Sequence, residues 1–326
     1  MRTFINNNRN FTRFAWLVLV YLVLVILWGA YVRATGSGAG CGSHWPLCNG
    51  VVVPREPRVE TIIELTHRIT SALSGVLVLA MLAWALRLYP RGHIVRKAAI
   101  YSTVFIITEG LVGAGLVLFE WVAHNESVAR TISMAVHLLN TFLLLATVSL
   151  TAWWSGAGEE VRLKIRGQGQ VSRLIAGAIL LLVVLGISGA VTALGDTLFP
   201  AGTLREGIAA DFEATAHFLV RLRVYHPIIA VITGIYLWLA GGSIAQARPG
   251  IDVMVFSKAI RVLVVAQLLA GVLNIWLNVP VWMQLVHLLL ADLLWIAVVL
   301  LGAAALSQPA AAVHPNPVSL SPSTGD

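Results

Sequence analysis

The sequence predicts an all-α polytopic membrane protein whose eight transmembrane helices form two pseudo-symmetric four-helix bundles. The first observation is composition: 58% of the 326 residues are hydrophobic, 11% are charged, and the mean hydropathy is +0.84. Soluble domains carry about 25% charged residues, so an ordinary cytosolic enzyme is excluded. The second observation is a series of long apolar stretches, and the third is a set of short motifs that occurs twice in the same order.

The apolar stretches match the thickness of a lipid bilayer. A helix needs about 20 apolar residues to cross a hydrocarbon core of about 30 Å. Eight stretches reach or approach this length, at residues 14–32, 69–88, 98–119, 132–154, 174–194, 226–241, 259–277 and 283–306. The sixth is short, and we expect its helix to begin upstream, within residues 212–225.

Positive charge is concentrated on one side of the predicted topology. Eight spans place both chain ends on one side, together with the loops after spans two, four and six. These segments hold fourteen of the 22 Lys and Arg residues, so the positive-inside rule predicts that both termini are cytoplasmic. The pI of about 9.9 then reflects topology and contact with anionic lipid, not nucleic-acid binding. Because no transit peptide is recognisable, we expect a multi-pass protein of the plasma membrane.

Four motifs of the first half recur in the second half. The matching pairs are Gly29-Ala30 with Gly189-Ala190, His67 and Gly75 with His226 and Gly234, Glu109 and Gly113 with Gln267 and Gly271, and Val136-His137-Leu138-Leu139 with Val286-His287-Leu288-Leu289. Each half holds an even number of spans, which predicts parallel repeats about an axis along the membrane normal. We expect one bundle in residues 1–158, a second in residues 159–307, and a disordered tail rich in Pro, Ala and Ser in residues 308–326.

Four of the nine histidines lie within the predicted spans: His67, His137, His226 and His287. Each falls in the first turns of a helix that descends from the outer face, which places all four in one layer about 5–10 Å deep. Two imidazoles from facing helices suit the axial positions of a haem iron. Neutral histidines packed in the core, or a proton or metal relay, are the alternatives.

The two halves differ next to the histidines of spans two and six. Glu64 lies three residues before His67, whereas Arg223 lies three residues before His226. If Glu64 is functional, one haem is acted upon and the other carries electrons. Two structural alternatives remain open for Glu64, namely a capping box that begins at Thr61 and an ion pair with Arg68.

Two cysteines and two further acids complete the set of candidate residues. Cys41 and Cys48 lie in the first outer loop, where an oxidising compartment favours a disulfide with either a structural or a redox role. Glu109 and Asp292 lie within spans three and eight, and the sequence leaves open whether they pack, form hydrogen bonds or act in function.

Taken together, these motifs resemble the haem A synthase family, in its bacterial form with an outer-loop cysteine pair. The residues that carry the resemblance are Gly40-Cys41-Gly42, Trp45-Pro46-Leu47-Cys48-Asn49-Gly50, Glu64-Leu65-Thr66-His67-Arg68, His137, His226 and His287. The resemblance covers nearly the whole chain and implies an oxidoreductase that converts a ring methyl of haem O to the formyl group of haem A.

The resemblance also implies that the two halves have different functions. Haem O as substrate is expected between His67 and His137, with Glu64 as the catalytic residue, and haem b as cofactor between His226 and His287. Expected partners are membrane lipid, a haem O synthase and a terminal oxidase that contains haem A. One departure is Pro227, which stands where the family commonly has Arg. The lost cation could be replaced by Arg221 or Arg223.

Two other functions are compatible with four intramembrane histidines. A di-haem b-type electron-transfer cytochrome would share the ligands but gives no reason for Glu64 to occur in one half alone. A haem transporter built on a repeat would be expected to bind its cargo near the midplane, at helices broken by Gly or Pro.

Overall fold

The computed structural model describes residues 2–156 and 167–307, and within these ranges the chain is helical apart from its loops. The helices are α1 (Arg2–Ala34), α2 (Val59–Leu88), α3 (Ile94–Leu118), α4 (Val128–Gly156), α5 (Gln170–Leu198), α6 (Leu204–Asp211), α7 (Phe218–Leu222), α8 (Tyr225–Ala247), α9 (Ile251–Trp276) and α10 (Val281–Leu306). Eight segments of the described chain are long and apolar enough to cross a membrane, which confirms the predicted spans. The predicted disordered tail and the predicted domain boundary at residues 158–159 lie outside the described residues.

All eight spans begin earlier than the apolar stretches indicate, and the second and sixth bear on the candidate site. Helix α2 starts at Val59, because the charged side chains of its first turns form contacts within the protein and do not end the helix. The sixth span runs over Phe218–Ala247 and combines α7 with α8, which confirms the expectation of an upstream start. Pro227 lies in the first turn of α8, where a missing backbone N–H leaves no helical hydrogen bond unmade.

The eight spans form two rings of four helices. In the first half, α1 packs against α2 and α4, while α3 packs against both α2 and α4. In the second half, α5 packs against α8 and α10, while α9 packs against both α8 and α10. Helices at equivalent positions of the repeat therefore make equivalent contacts, as two pseudo-symmetric four-helix bundles require.

The bundles meet along α1, α4, α5 and α10. Phe142 of α4 stacks on Trp295 of α10 with ring centroids 4.5 Å apart, and the Trp295 indole N–H donates to the Phe142 carbonyl at 2.7 Å. At the outer end of this interface, the Arg33 guanidinium of α1 donates to the Ala193 carbonyl and the Thr197 hydroxyl of α5, both at 2.6 Å. These contacts fix one bundle against the other.

Candidate functional site

The two histidines of the second bundle face each other. His226 on α8 and His287 on α10 have ring centroids 6.4 Å apart and ring planes at 80°. Metal–imidazole bonds of about 2 Å, with about 1 Å more from each nitrogen to its ring centre, would place two ligands of one ion about 6 Å apart. The observed separation therefore suits a pair of axial ligands.

The His226 ring is also held by a neighbouring helix. Its Nδ1 atom lies 2.9 Å from the hydroxyl oxygen of Ser188 on α5. Histidines that bind metals characteristically use their second ring nitrogen in such a hydrogen bond, which fixes the ring orientation. Ser188 could not be identified from the sequence, because a serine in an apolar helix shows no sign of its hydrogen-bond partner on another helix.

The histidines of the first bundle lie on equivalent helices. His67 on α2 and His137 on α4 are near enough to interact electrostatically. The Nδ1 atoms of both rings are buried and have no hydrogen-bond partner within the described chain. For His137, the Nδ1 atom lies 3.6 Å from Oε1 of Glu109.

Glycines of the repeat form the surfaces on which three of these rings rest. A Cβ atom added to Gly29 of α1 would lie 2.9 Å from Cε1 of His67, and one added to Gly189 of α5 would lie 3.0 Å from Cε1 of His226. A Cβ atom on Gly271 of α9 would come within 3.3 Å of His287. At Gly29 the helix backbone therefore approaches the imidazole too closely for a side chain, and at Gly189 and Gly271 it leaves little room for one.

The donor set fits a haem better than an isolated metal ion. Across residues 2–156 and 167–307, no three His, Cys, Asp or Glu side chains cluster closely enough to hold a metal ion by themselves. A structural zinc site needs four protein ligands, whereas the porphyrin supplies the equatorial ligands of a haem iron and the protein supplies the axial ones. A pair of imidazoles in each apolar bundle meets that requirement.

Glu64 is buried beneath the outer loop and has two sets of partners. Its side chain accepts the Cys41 backbone N–H at 2.8 Å through Oε2, and Nε and Nη2 of Arg68 at 3.0 and 2.5 Å through Oε1. The ion pair considered as an alternative is therefore present. The capping box is not: α2 begins at Val59, and the Thr61 hydroxyl donates to the Gly40 carbonyl.

The outer loop is closed by the expected disulfide between Cys41 and Cys48, both of which are buried. Arg68 secures the loop by donating through Nη1 to the carbonyls of His44 and Leu47, each at 2.7 Å. The disulfide loop, Glu64 and Arg68 thus form one hydrogen-bonded unit above His67.

The corresponding position of the second half carries a different ion pair. Arg223 bonds to Asp196 and to Asp211, each at 2.9 Å. Its charge is therefore already paired, and it is poorly suited to replace the cation that is absent at Pro227. Arg221 is exposed and remains the candidate for that role.

Two intramembrane acids have opposite environments. Glu109 of α3 accepts hydrogen bonds from Asn140 at 2.5 Å and from Thr141, and its Oε1 atom lies 3.6 Å from Nδ1 of His137. Asp292 of α10 is buried, and neither of its oxygens has a hydrogen-bond partner in the described part of the protein. The structure thus places Glu109 beside a candidate ligand and gives Asp292 no hydrogen bond to the described residues.

The fold and the site define a polytopic membrane protein with paired histidines in each of two repeated bundles. The family model described as "Cytochrome oxidase assembly protein", COX15-CtaA, matches residues 12–299. The chain belongs to this COX15-CtaA family.

Individual relatives match parts of their own length. A protein of Thermus thermophilus named protoheme IX farnesyltransferase is 52% identical over 301 residues, which are 92% of this chain and 49% of the relative. A heme A synthase of Halalkalibacterium halodurans is 39% identical over 44% of this chain and 47% of its own length. A heme A synthase of Geobacillus kaustophilus is 39% identical over 42% of this chain and 44% of its own length. The chain thus spans about half the length, or less, of these curated relatives.

Proposed function

We propose that the protein is a haem A synthase, which oxidises a ring methyl of haem O to a formyl group through two hydroxylations and loss of water. Family membership and the heme A synthase relatives support haem A formation. The observation that carries the proposal is the asymmetry of the repeat. Both bundles have two histidines on equivalent helices, but the first half has Glu64 and Glu109 at the positions where the second half has Arg223 and Gln267.

The histidines have matched roles in this proposal. His67 and His137 hold the iron of the substrate haem O, and His226 and His287 hold haem b. When bound, haem b supplies electron transfer, while the protein orients the substrate and excludes water. Gly29 and Gly189 let α1 and α5 approach the rings, and Ser188 fixes the orientation of His226.

Glu64 is the proposed catalytic residue. Its burial and its bonds to Arg68 and to the Cys41 backbone give it a fixed position at the outer end of α2. A fixed carboxylate stabilises developing positive charge and can exchange a proton with the substrate. Its link to the disulfide loop makes the position of the carboxylate dependent on that loop.

Farnesyl transfer is the second candidate, because the Thermus thermophilus relative carries that name. This chain matches only about half of that relative, and we infer that its farnesyl transfer resides in the other half. Transfer from a diphosphate characteristically uses Mg²⁺ held by carboxylates. Along the described segments, no three acidic or histidine side chains are grouped in that way.

The same relative supports a proposed partner. A chain that resembles this one, joined to a farnesyltransferase, would bring together farnesylation of protohaem and oxidation of the farnesylated product. We therefore propose a haem O synthase as partner and a terminal oxidase containing haem A as recipient of the product. The proposed setting is the plasma membrane, with both termini cytoplasmic.

Extraction of haem from purified protein tests the function. The chain is expressed with a haem O synthase, and its haems are extracted and separated by chromatography. Haem A or hydroxylated haem O supports the proposal, and a matched His67→Ala variant should lose both products. Haem b alone at two per chain indicates a cytochrome, and farnesylated haem formed without the added synthase indicates a transferase. Absence of haem indicates a transporter or structural histidines.

A further inference from the structure

We propose that Glu109 is a positioning residue that acts through His137 and makes the first haem site lower in reduction potential than the second. The inference rests on the proposed function, because it takes His137 and His287 as iron ligands. It assigns a task to an intramembrane carboxylate that the proposed chemistry does not otherwise use.

The geometry places Glu109 directly behind the His137 ring. Its Oε1 atom lies 3.6 Å from Nδ1 of His137, an atom that is buried and has no other partner in the described chain. A movement of roughly 0.5 Å would bring the two atoms within hydrogen-bond distance. With Nδ1 directed at Glu109, the opposite ring nitrogen is the one available for iron.

Neighbouring donors hold Glu109 in this position. The Asn140 amide donates to Oε2, and the Thr141 hydroxyl donates to Oε1. Asn140 is itself fixed, because its amide also donates to the Phe105 carbonyl and its Oδ1 atom accepts from the Thr108 hydroxyl. These contacts fix the position of the Glu109 carboxylate beside His137.

The second half places a neutral amide at the equivalent position. Nε2 of Gln267 lies 3.3 Å from Nε2 of His287, on helices equivalent to those that carry Glu109 and His137. The two sites therefore present the same pair of helices and the same imidazole ligand. They differ at the ring nitrogens: Glu109 lies near Nδ1 of His137, whereas Gln267 approaches Nε2 of His287 and Nδ1 of His287 has no hydrogen-bond partner in the described chain.

This difference has a direct effect on the iron. A carboxylate that accepts the ring N–H of a ligating histidine raises the basicity of the ligand. A more basic axial ligand favours the oxidised iron and lowers its reduction potential. An amide has no such charge, so the iron held by His287 should have the higher potential.

Redox titration of the purified full chain tests the inference. The protein is loaded with haem O without oxygen, so that no turnover occurs, and the absorbance of both haems is followed against applied potential. We expect Glu109→Gln to shift the reduction equilibrium of one haem about tenfold towards the reduced form, which is about 59 mV for one electron.

A further variant separates electronic tuning from structural damage. Thr141→Val removes one donor to Glu109 but keeps the carboxylate, so the carboxylate should accept more strongly from His137. We expect the potential of the first site to fall in Thr141→Val and to rise in Glu109→Gln. If the substitutions only loosened the site, the reduction potential of the first haem would shift in the same direction in both variants.

The outcomes distinguish the two proposals. Two bound haems whose potentials do not change in Glu109→Gln would overturn the inference and leave the haem A synthase proposal intact. The inference is also overturned if Thr141→Val and Glu109→Gln shift the reduction potential of the first haem in the same direction. Failure of the wild-type chain to bind haem at His137 contradicts both proposals. Opposite shifts confined to the first site support the role of Glu109.

Discussion

The close approach of Gly29 to His67 gives a sharp test of the haem site. In Gly29→Ala, the new Cβ atom would lie 2.9 Å from Cε1 and 3.1 Å from Nε2 of His67. Because carbon atoms pack at about 3.5–4.0 Å, the ring or helix α1 must move by roughly 0.5–1 Å. Overpacking of this kind costs about 1–3 kcal/mol.

The cost should appear as weaker binding of the porphyrin. His67 can relieve the contact by turning away from Gly29, and this movement changes the direction of its ring nitrogens. At about 1.4 kcal/mol per tenfold change in affinity, we expect haem bound at the first site to dissociate roughly 10- to 100-fold faster. Gly189→Ala should have the same effect on haem at His226, where the added Cβ would lie 3.0 Å from the ring.

A matched control is available on helix α2. A Cβ atom added to Gly75 would meet no heavy atom within 4 Å, so Gly75→Ala should be neutral or stabilise the protein by about 0.4–1 kcal/mol. The assay measures transfer of haem from purified protein to an excess of a haem-scavenging protein, with thermal unfolding in detergent as the check on folding. Equal haem retention by Gly29→Ala and Gly75→Ala would refute the packing argument.

Three other substitutions test the remaining contacts. Ser188→Ala removes the 2.9 Å partner of His226, and we expect about tenfold faster loss of second-site haem in the same transfer assay; an unchanged rate contradicts the positioning role. Cys41→Ser opens a disulfide between residues seven apart, which should cost about 2.5 kcal/mol and lower the Tm by several degrees. If haem A formation stops while the Tm does not change, the disulfide has a redox role. Glu64→Gln should retain haem but lose haem A formation on extraction, and full production would remove Glu64 from catalysis.

Much of the fold could be predicted from hydropathy, because a bilayer requires long apolar helices. The start of α2 is the exception that bears on the candidate site. The hydropathy at the start of α2 is lowered by Glu64, His67 and Arg68. The apolar stretch therefore begins at residue 69, although the helix begins at Val59. The side chains of Glu64 and Arg68 bond to the disulfide loop, which is a tertiary contact that no local pattern reveals.

The site could be predicted in part because it is repeated. The order of motifs identified the histidines and paired Glu109 with Gln267, although it gave no task to either. The repeated glycines were found as markers of the repeat, and their contact with imidazole rings became evident only in three dimensions. Ser188 and Arg33 could not be identified, because their partners lie on other helices and, for Arg33, in the other bundle.

The pattern of what is repeated and what is not bears directly on mechanism. Features shared by the bundles, namely a histidine on each of two facing helices and a glycine on a third, are those that holding a porphyrin requires. Features that differ surround the same histidines: Glu64 against Arg223, and Glu109 against Gln267. The cation of Arg223 is neutralised by two carboxylates of its own half, whereas Glu109 is directed at a candidate ligand. If porphyrin binding alone were the task of the first site, replacement of Glu109 by Gln should leave the reduction potential of its haem unchanged; the proposed role of Glu109 predicts that the potential rises.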